Sequence, residues 1–119
     1  MIETNEPAGN EGIKARVSAI KIVAQWMDTG DFPDRQLSFV APVCRGFAMD
    51  LVYTTLRNVR LLDNIVSDYI SKEPNSTVMA AILLGACQIF KLENMAEHAA
   101  VHATVEALKK AGEPNSAGF

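Results

Sequence analysis

Residues 77–92 read TVMAAILLGACQIFKL, and Gln88 is the only strongly polar side chain before Lys91. A helix that is apolar nearly all round is buried on most of its sides. The segment is therefore predicted to be the central helix of the domain, where Gly85 lets a neighbouring helix approach closely. Its apolar run covers 13 residues, whereas a bilayer span needs about 20. Together with a polar, acidic start that does not resemble a signal peptide, this indicates a soluble, cytoplasmic protein with no membrane partner.

The first predicted helix starts at Ile13 and carries apolar residues on two faces. One face comprises Ile13, Val17, Ile20, Ala24 and Met27. The other comprises Ala15, Ala19, Ile22 and Trp26. A helix of this kind packs between two layers. The alternative is that its second face, or part of the last helix's face, contacts a segment beyond residue 119.

Further helices follow from the same spacing of apolar residues. Residues 37–43 fit a short helical turn, and residues 44–58 fit a longer helix. Its inward residues are Phe47, Ala48, Leu51, Val52, Thr55 and Leu56. The pattern then changes phase, which predicts a break near Asn58–Val59. A further helix continues through Leu61, Leu62, Ile65, Val66, Tyr69 and Ile70.

Capping signals bound the last two predicted helices. Asn75 or Ser76 is expected to cap the apolar helix. The last helix ends at Lys109 and Lys110, which suit the helix dipole, before Gly112 and Pro114 stop it. No alternating period-2 run is present. The predicted class is all-α, with about five or more helices in an orthogonal or bundle-like packing.

Charge separates a tail from a neutral body. The chain has 11 Lys and Arg against 14 Asp and Glu. Three of the acidic residues, Glu3, Glu6 and Glu11, lie in residues 1–12, which are predicted to form a disordered tail. The remaining domain, residues 13–119, has no net charge, so any RNA contact must come from a local patch.

Two groups of basic residues could provide that patch. Lys14, Arg16 and Lys21 begin the first helix, and Arg57 and Arg60 flank the predicted break. Lys and Arg on a shared exposed face can bind phosphates. The alternative is a solvated edge on which Arg57 pairs with a carboxylate such as Asp50 or Asp63. No interleaving of aromatic residues suggests base stacking.

Catalytic and metal-binding signals are weak. His98, His102 and Glu106 share one helix face at a spacing that zinc sites use, but Ala99 stands where the catalytic form of that motif has Glu. A plain surface histidine pair is the alternative, and no metal is assigned. Cys44 and Cys87 are interpreted as buried core residues in a reducing compartment rather than nucleophiles. No phosphate-binding loop or nucleophile elbow is present, so no catalytic residue is assigned.

Four segments together resemble one family. Residues 50–58 (DLVYTTLRN), followed by RLLD at 60–63, resemble the E-L-V-Y-G-x-L-R-N…L-D stretch of NusB-like domains. Residues 83–92 (LLGACQIFKL) resemble their L-x-L-G-A-Y-Q-L-x-x-L helix, and residues 97–106 (EHAAVHATVE) resemble P-x-H-A-A-V-N-E-x-V-E. Residues 117–119 (AGF) resemble the start of the G-F-V-N-A-V-L-R ending. The order and spacing of all four agree.

The resemblance implies a NusB-like helical bundle that binds RNA without catalysis. The motifs L-R-N at residues 56–58 and H-A-A-V at residues 98–101 are most similar to those in the N-terminal domain of RsmB (Sun) type rRNA cytosine methyltransferases. In those enzymes a separate domain uses S-adenosylmethionine, so this chain is expected to hold no cofactor. Because residues 117–119 resemble only the start of the closing motif, the chain is also expected to lack the family's final helix. The alternative is a free-standing NusB-type antitermination adaptor, which binds RNA and a ribosomal protein. The basic start of the first helix is the family's RNA-contacting region, and Lys14, Arg16 and Lys21 occupy it here.

Overall fold

Six α-helices make up most of the chain that the computed structural model describes, which is residues 2–3, 7, 9–93 and 96–112. The helices are α1 (Asn10–Thr29), α2 (Asp34–Leu37), α3 (Pro42–Arg57), α4 (Val59–Ser67), α5 (Ser76–Phe90) and α6 (Glu97–Lys110). The all-α prediction is confirmed. No helix in these ranges is both long and apolar enough to cross a bilayer.

Helix α1 packs against α3, α5 and α6, and α5, the predicted central helix, contacts α1, α3, α4 and α6. Ala15, Ala19 and Ile22 on one face are buried, and so is Ile20 on the other. This confirms the prediction that α1 packs between two layers. Trp26 remains partly exposed at the end of the helix. The buried alanines let neighbouring helices lie close to α1, and they need no cover from outside the described residues.

Helix α5 is buried as its sequence predicts, except around Gly85. Leu83, Leu84 and Cys87 are almost completely shielded from solvent. A Cβ added at Gly85, however, would meet no heavy atom of the described residues within 4 Å. The expected close approach of a neighbouring helix at Gly85 is therefore wrong, because this side of α5 borders an open groove.

The predicted break at Asn58 separates α3 from α4. Asn58 adopts φ −115° and ψ 19°, and its side-chain amide donates to the carbonyl of Thr54 at 2.8 Å. Pro42 starts α3, where a missing N–H is harmless. Leu61 and Tyr69 differ from the prediction because both are exposed. Helix α4 is only nine residues long, buries Leu62 and Val66, and ends before Tyr69.

The ends of the helices are closed by backbone and side-chain bonds. The Asn75 side chain accepts from the backbone N–H of Val78 at 2.9 Å, which confirms the predicted cap of α5. Gly30 closes α1 in the left-handed conformation, with φ 77° and its N–H donating to the carbonyl of Trp26. Gly112 follows α6 with φ 97°, and the second predicted stop signal, Pro114, lies outside the described residues.

A short parallel pairing joins the start of the chain to the segment after α5. Strand β1 (Ile2–Glu3) pairs with β2 (Leu92–Glu93) in the register Ile2 to Leu92. Helix α1 also begins at Asn10, three residues before the predicted boundary. Residues 2–3 and 10–12 thus lie in a strand and a helix, although the prediction placed them in the tail. Residues 1, 4–6 and 8 lie outside the described residues. This pairing could not be predicted from the sequence, because two residues are too few to show the alternating pattern of a strand.

Candidate nucleic-acid interface

Lys14 and Lys21 lie on one exposed face of α1. They are seven residues apart, which is two helical turns or about 10 Å along the axis. The Lys14 ammonium lies 3.3 Å from the Glu11 carboxylate in an exposed ion pair. Such a pair is worth little and can be exchanged for a phosphate. Both lysines are therefore available to a polyanion.

Arg16 does not belong to that face. Only 3% of this residue is exposed. Its Nε donates to Gln88 Oε1 at 2.9 Å, its Nη1 donates to the Gly12 carbonyl at 3.2 Å, and its guanidinium lies 5.0 Å from the ring centre of Phe47. This corrects the assignment of Arg16 to the RNA-contacting set, because its donors are directed into the core between α1, α3 and α5.

The partner of Arg16 belongs to a buried polar chain. Gln88 Nε2 donates to the Leu84 carbonyl at 3.0 Å and to Thr104 Oγ1 at 2.9 Å. Thr104 in turn donates to the Ala100 carbonyl at 2.7 Å. The only strongly polar side chain of the apolar α5 segment is thus bonded to α1 on one side and α6 on the other. These bonds make Arg16 a structural residue.

Arg57 and Arg60 lie on either side of the α3–α4 break, and both are exposed. Arg57 Nη2 is 3.4 Å from Thr54 Oγ1, and neither arginine has a described ion pair with Asp50 or Asp63. Burial raises the pKa of Asp50, and the charge of Arg57 opposes that shift in part. The two guanidinium groups therefore remain candidates for phosphate contacts, on different helices from Lys14 and Lys21.

Two exposed phenylalanines have no counterpart among the sequence-predicted site residues. Phe32 and Phe39 flank α2, and they border grooves that also contain Lys21 and Arg35. Sequence periodicity could not find them because they lie in loops. The available signal was two aromatic residues beside loop-forming Gly30 and Pro33, where no helical face could bury them.

An apolar groove of about 460 Å³ lies between α4, α5 and α6. It includes Gly85, and its rim carries Tyr69, Phe90 and Val101, which are 87%, 52% and 45% exposed. These side chains are apolar or aromatic, and the lining has almost no polar surface. The groove can therefore accept an apolar segment but offers little to a phosphate.

The proposed histidine face has no metal geometry among the described residues. His98 and His102 are exposed, and the Glu106 carboxylate lies 3.5 Å from the Lys109 ammonium. The carboxylate that would complete a site is thus paired with a cation. The prediction that Cys44 and Cys87 are buried is confirmed. Burial raises the pKa of both thiols, which keeps them protonated.

Residues 13–119 match the model of the NusB family. The matched range includes the segments at 50–63, 83–92 and 97–106, which suggested that family from the sequence. No curated protein and no solved structure matches the chain.

Proposed function

We propose, from the premise that this chain belongs to the NusB family, that it binds RNA and catalyses no reaction itself. The observation that carries the proposal is the exposed pair Lys14 and Lys21 on the first helix, within the matched range. At the finer level, we propose that the chain is the N-terminal rRNA-binding domain of a cytoplasmic rRNA cytosine methyltransferase. The catalytic domain of such an enzyme uses S-adenosylmethionine, and no step proposed for this chain involves that cofactor.

The mechanism is positioning. Lys14 and Lys21 on α1, together with Arg57 and Arg60 at the α3–α4 break, bind phosphates and release counterions. Because the described fold holds these helices in a fixed arrangement, bound RNA is presented to a catalytic domain in one orientation. With Arg16 in the core, four cations remain. Weak affinity with a salt slope of about 2 to 4 is therefore expected.

Titration of a labelled rRNA fragment at two salt concentrations tests this proposal. Lys14→Gln and Lys21→Gln should each weaken binding and lower the salt slope by about 1. Lys110→Gln is the matched control, because Lys110 is an exposed cation at the end of α6. Affinity that does not depend on salt, or an equal loss in the control, would contradict the proposal.

A second candidate is an antitermination adaptor of the same family that binds a protein through an apolar helix face. The groove between α4, α5 and α6 favours this candidate, since it is large, apolar and open. The reading frame after codon 119 separates the two. Several hundred further codons favour the methyltransferase. A stop codon soon after a completed F-V-N-A-V-L-R helix favours the adaptor.

A further inference from the structure

We propose that Phe32 and Phe39 form a stacking surface for unpaired RNA bases, beside phosphate contacts from Lys21 and Arg35. The chain would then prefer single-stranded to double-stranded RNA. This inference rests on the proposed RNA-binding function and names the form of RNA that is bound. It adds a site that family membership does not assign to these residues.

The two rings are exposed on a segment that is itself well anchored. Phe32 is 84% exposed and Phe39 is 79% exposed. Between them, Pro33 and Leu37 are buried, and the N–H of Leu37 donates to the carbonyl of Pro33 at 2.9 Å. Val40, the residue after Phe39, is also buried. The rings therefore project from a fixed base, so little ordering is needed when a base stacks on them.

Bonds from α3 hold the same segment. Arg45 donates from Nε and Nη2 to the Val40 carbonyl at 3.2 and 2.9 Å, and from Nη2 to the Ser38 carbonyl at 3.2 Å. The Tyr53 hydroxyl donates to the Asp34 carboxylate. Arg45 thus holds the backbone on both sides of Phe39, which fixes the position from which its side chain projects.

Two neighbouring grooves connect the phenylalanines to the cations. The first, of about 420 Å³, is lined by Gln25, Asp31, Phe32, Arg35, Gln36 and Phe39. The second, of about 240 Å³, is bordered by Lys21 and shares Gln25, Gln36 and Phe39 with the first. Because three residues line both, the grooves form one continuous surface. We call this surface the Phe32–Phe39 surface.

The chemistry of the Phe32–Phe39 surface suits a nucleotide. An aromatic ring stacks on any base, and a neighbouring Lys or Arg binds the adjoining phosphate. Neither Lys21 nor Arg35 is held in an ion pair within the described ranges. Gln25 and Gln36 offer amides, and the Asp31 carboxylate can accept from the exocyclic amino group of a base. The mixture of aromatic, cationic and amide groups differs from the apolar groove between α4, α5 and α6.

The position of Lys21 also joins this surface to the proposed phosphate contacts. Lys21 borders the second groove and shares the exposed face of α1 with Lys14. A strand whose bases stack on Phe32 and Phe39 can therefore continue along α1 with its phosphates near both lysines. The surface extends the cationic face instead of competing with it.

Binding of a labelled ten-nucleotide oligouridine to the full chain tests the inference. Phe32→Ala and Phe39→Ala should each weaken binding about tenfold, which is within the range for loss of one stacked base. Their salt slope should match that of the unmodified chain, since no cation is removed. Tyr69→Ala is the matched control, because Tyr69 is equally exposed but lies outside this surface. Circular dichroism checks that each variant is folded.

Two further probes separate stacking from phosphate binding. An abasic ribose-phosphate oligomer of the same length and a ten-base-pair RNA duplex should bind about equally to the unmodified chain and to the phenylalanine variants. Unchanged oligouridine affinity in both variants would overturn the inference. Lysine variants that still lower the salt slope would then leave the proposed function standing.

Two other outcomes would also overturn the inference. If no RNA probe binds, the proposed function fails with it. If the chain self-associates in sedimentation, and Phe32→Ala or Phe39→Ala abolishes the association without changing RNA affinity, then the surface is a protein interface.

Discussion

Replacement of Arg16 by methionine distinguishes a core residue from an RNA-contacting one. Methionine fills a similar volume but provides no donor. Gln88 Oε1 would lose the partner that now lies 2.9 Å away, and the Gly12 carbonyl would lose a donor at 3.2 Å. The contact between the guanidinium and the Phe47 ring would disappear as well. Every one of these losses affects the folded state and not an RNA complex.

The expected cost follows from the burial of these groups. A buried acceptor left without its donor costs about 1–3 kcal/mol. The contact between cation and ring adds about 0.5–2 kcal/mol, of which the methionine packing recovers part. We therefore expect Arg16→Met to lower the free energy of unfolding by about 3 kcal/mol. That is a large fraction of the stability of a domain of this size.

Urea unfolding followed by circular dichroism measures this loss. Arg16→Met combined with Gln88→Leu removes both partners, so the double variant should lose about 2 kcal/mol less than the sum of the single losses. Lys14→Met is the control and should change stability by less than about 0.5 kcal/mol, because its ion pair is exposed. An Arg16→Met variant that unfolds like the unmodified chain, while its RNA affinity falls as far as that of Lys21→Gln, would refute a structural role for Arg16.

Three further changes test other parts of the structure. Burial raises the pKa of Asp50 above its ordinary value of 3.8, so the folded state binds that proton more tightly and stability falls as the pH rises through the raised value. This fall should amount to less than about 1 kcal/mol, because Asp50 is only half-buried, and Asp50→Asn should abolish it. Urea unfolding at pH 4 and pH 7 measures it; an equal change in the unmodified chain and in Asp50→Asn would contradict the prediction. Cys44 and Cys87 should react with a disulfide reagent at pH 8 at least about 100-fold more slowly in the folded protein than in urea, and rapid labelling of the folded protein would refute their burial. Gly85→Ala should stabilise the protein by about 0.5–1 kcal/mol, because the added Cβ meets open space within a helix, and a lower thermal midpoint would show that the space is occupied.

Much of the fold could be predicted because its signals are local. The two-faced pattern of α1 identified a helix that packs between layers, since residues on each face repeat at helical spacing. The break at Asn58 could be predicted because the helical repeat of the apolar residues shifts there. The cap at Asn75 could be found because its side chain satisfies a backbone N–H three residues away. Each of these features is determined by residues that are close to one another in the sequence.

The corrected features depend on contacts between distant residues. The sequence groups Arg16 with the basic residues at the start of the first helix, but its hydrogen-bond partner Gln88 is 72 residues away. A warning was available, because a glutamine in an otherwise apolar helix needs a bonded partner. Lys21 and Phe39 meet only through the fold, so no linear pattern joined aromatic and basic residues. Gly85 borders open space because of where α4 and α6 lie, which its own helix does not determine.

The packing of α6 on α1 has a consequence for synthesis. Of the described helices, the ribosome makes α1 first and α6, which completes the cover of α1, last. The part of the α1 surface that α6 covers therefore stays exposed until α6 has been made and has left the ribosome. We expect the polypeptide to fold in one cooperative step after that point, and to depend on chaperones that shield such faces whenever translation slows.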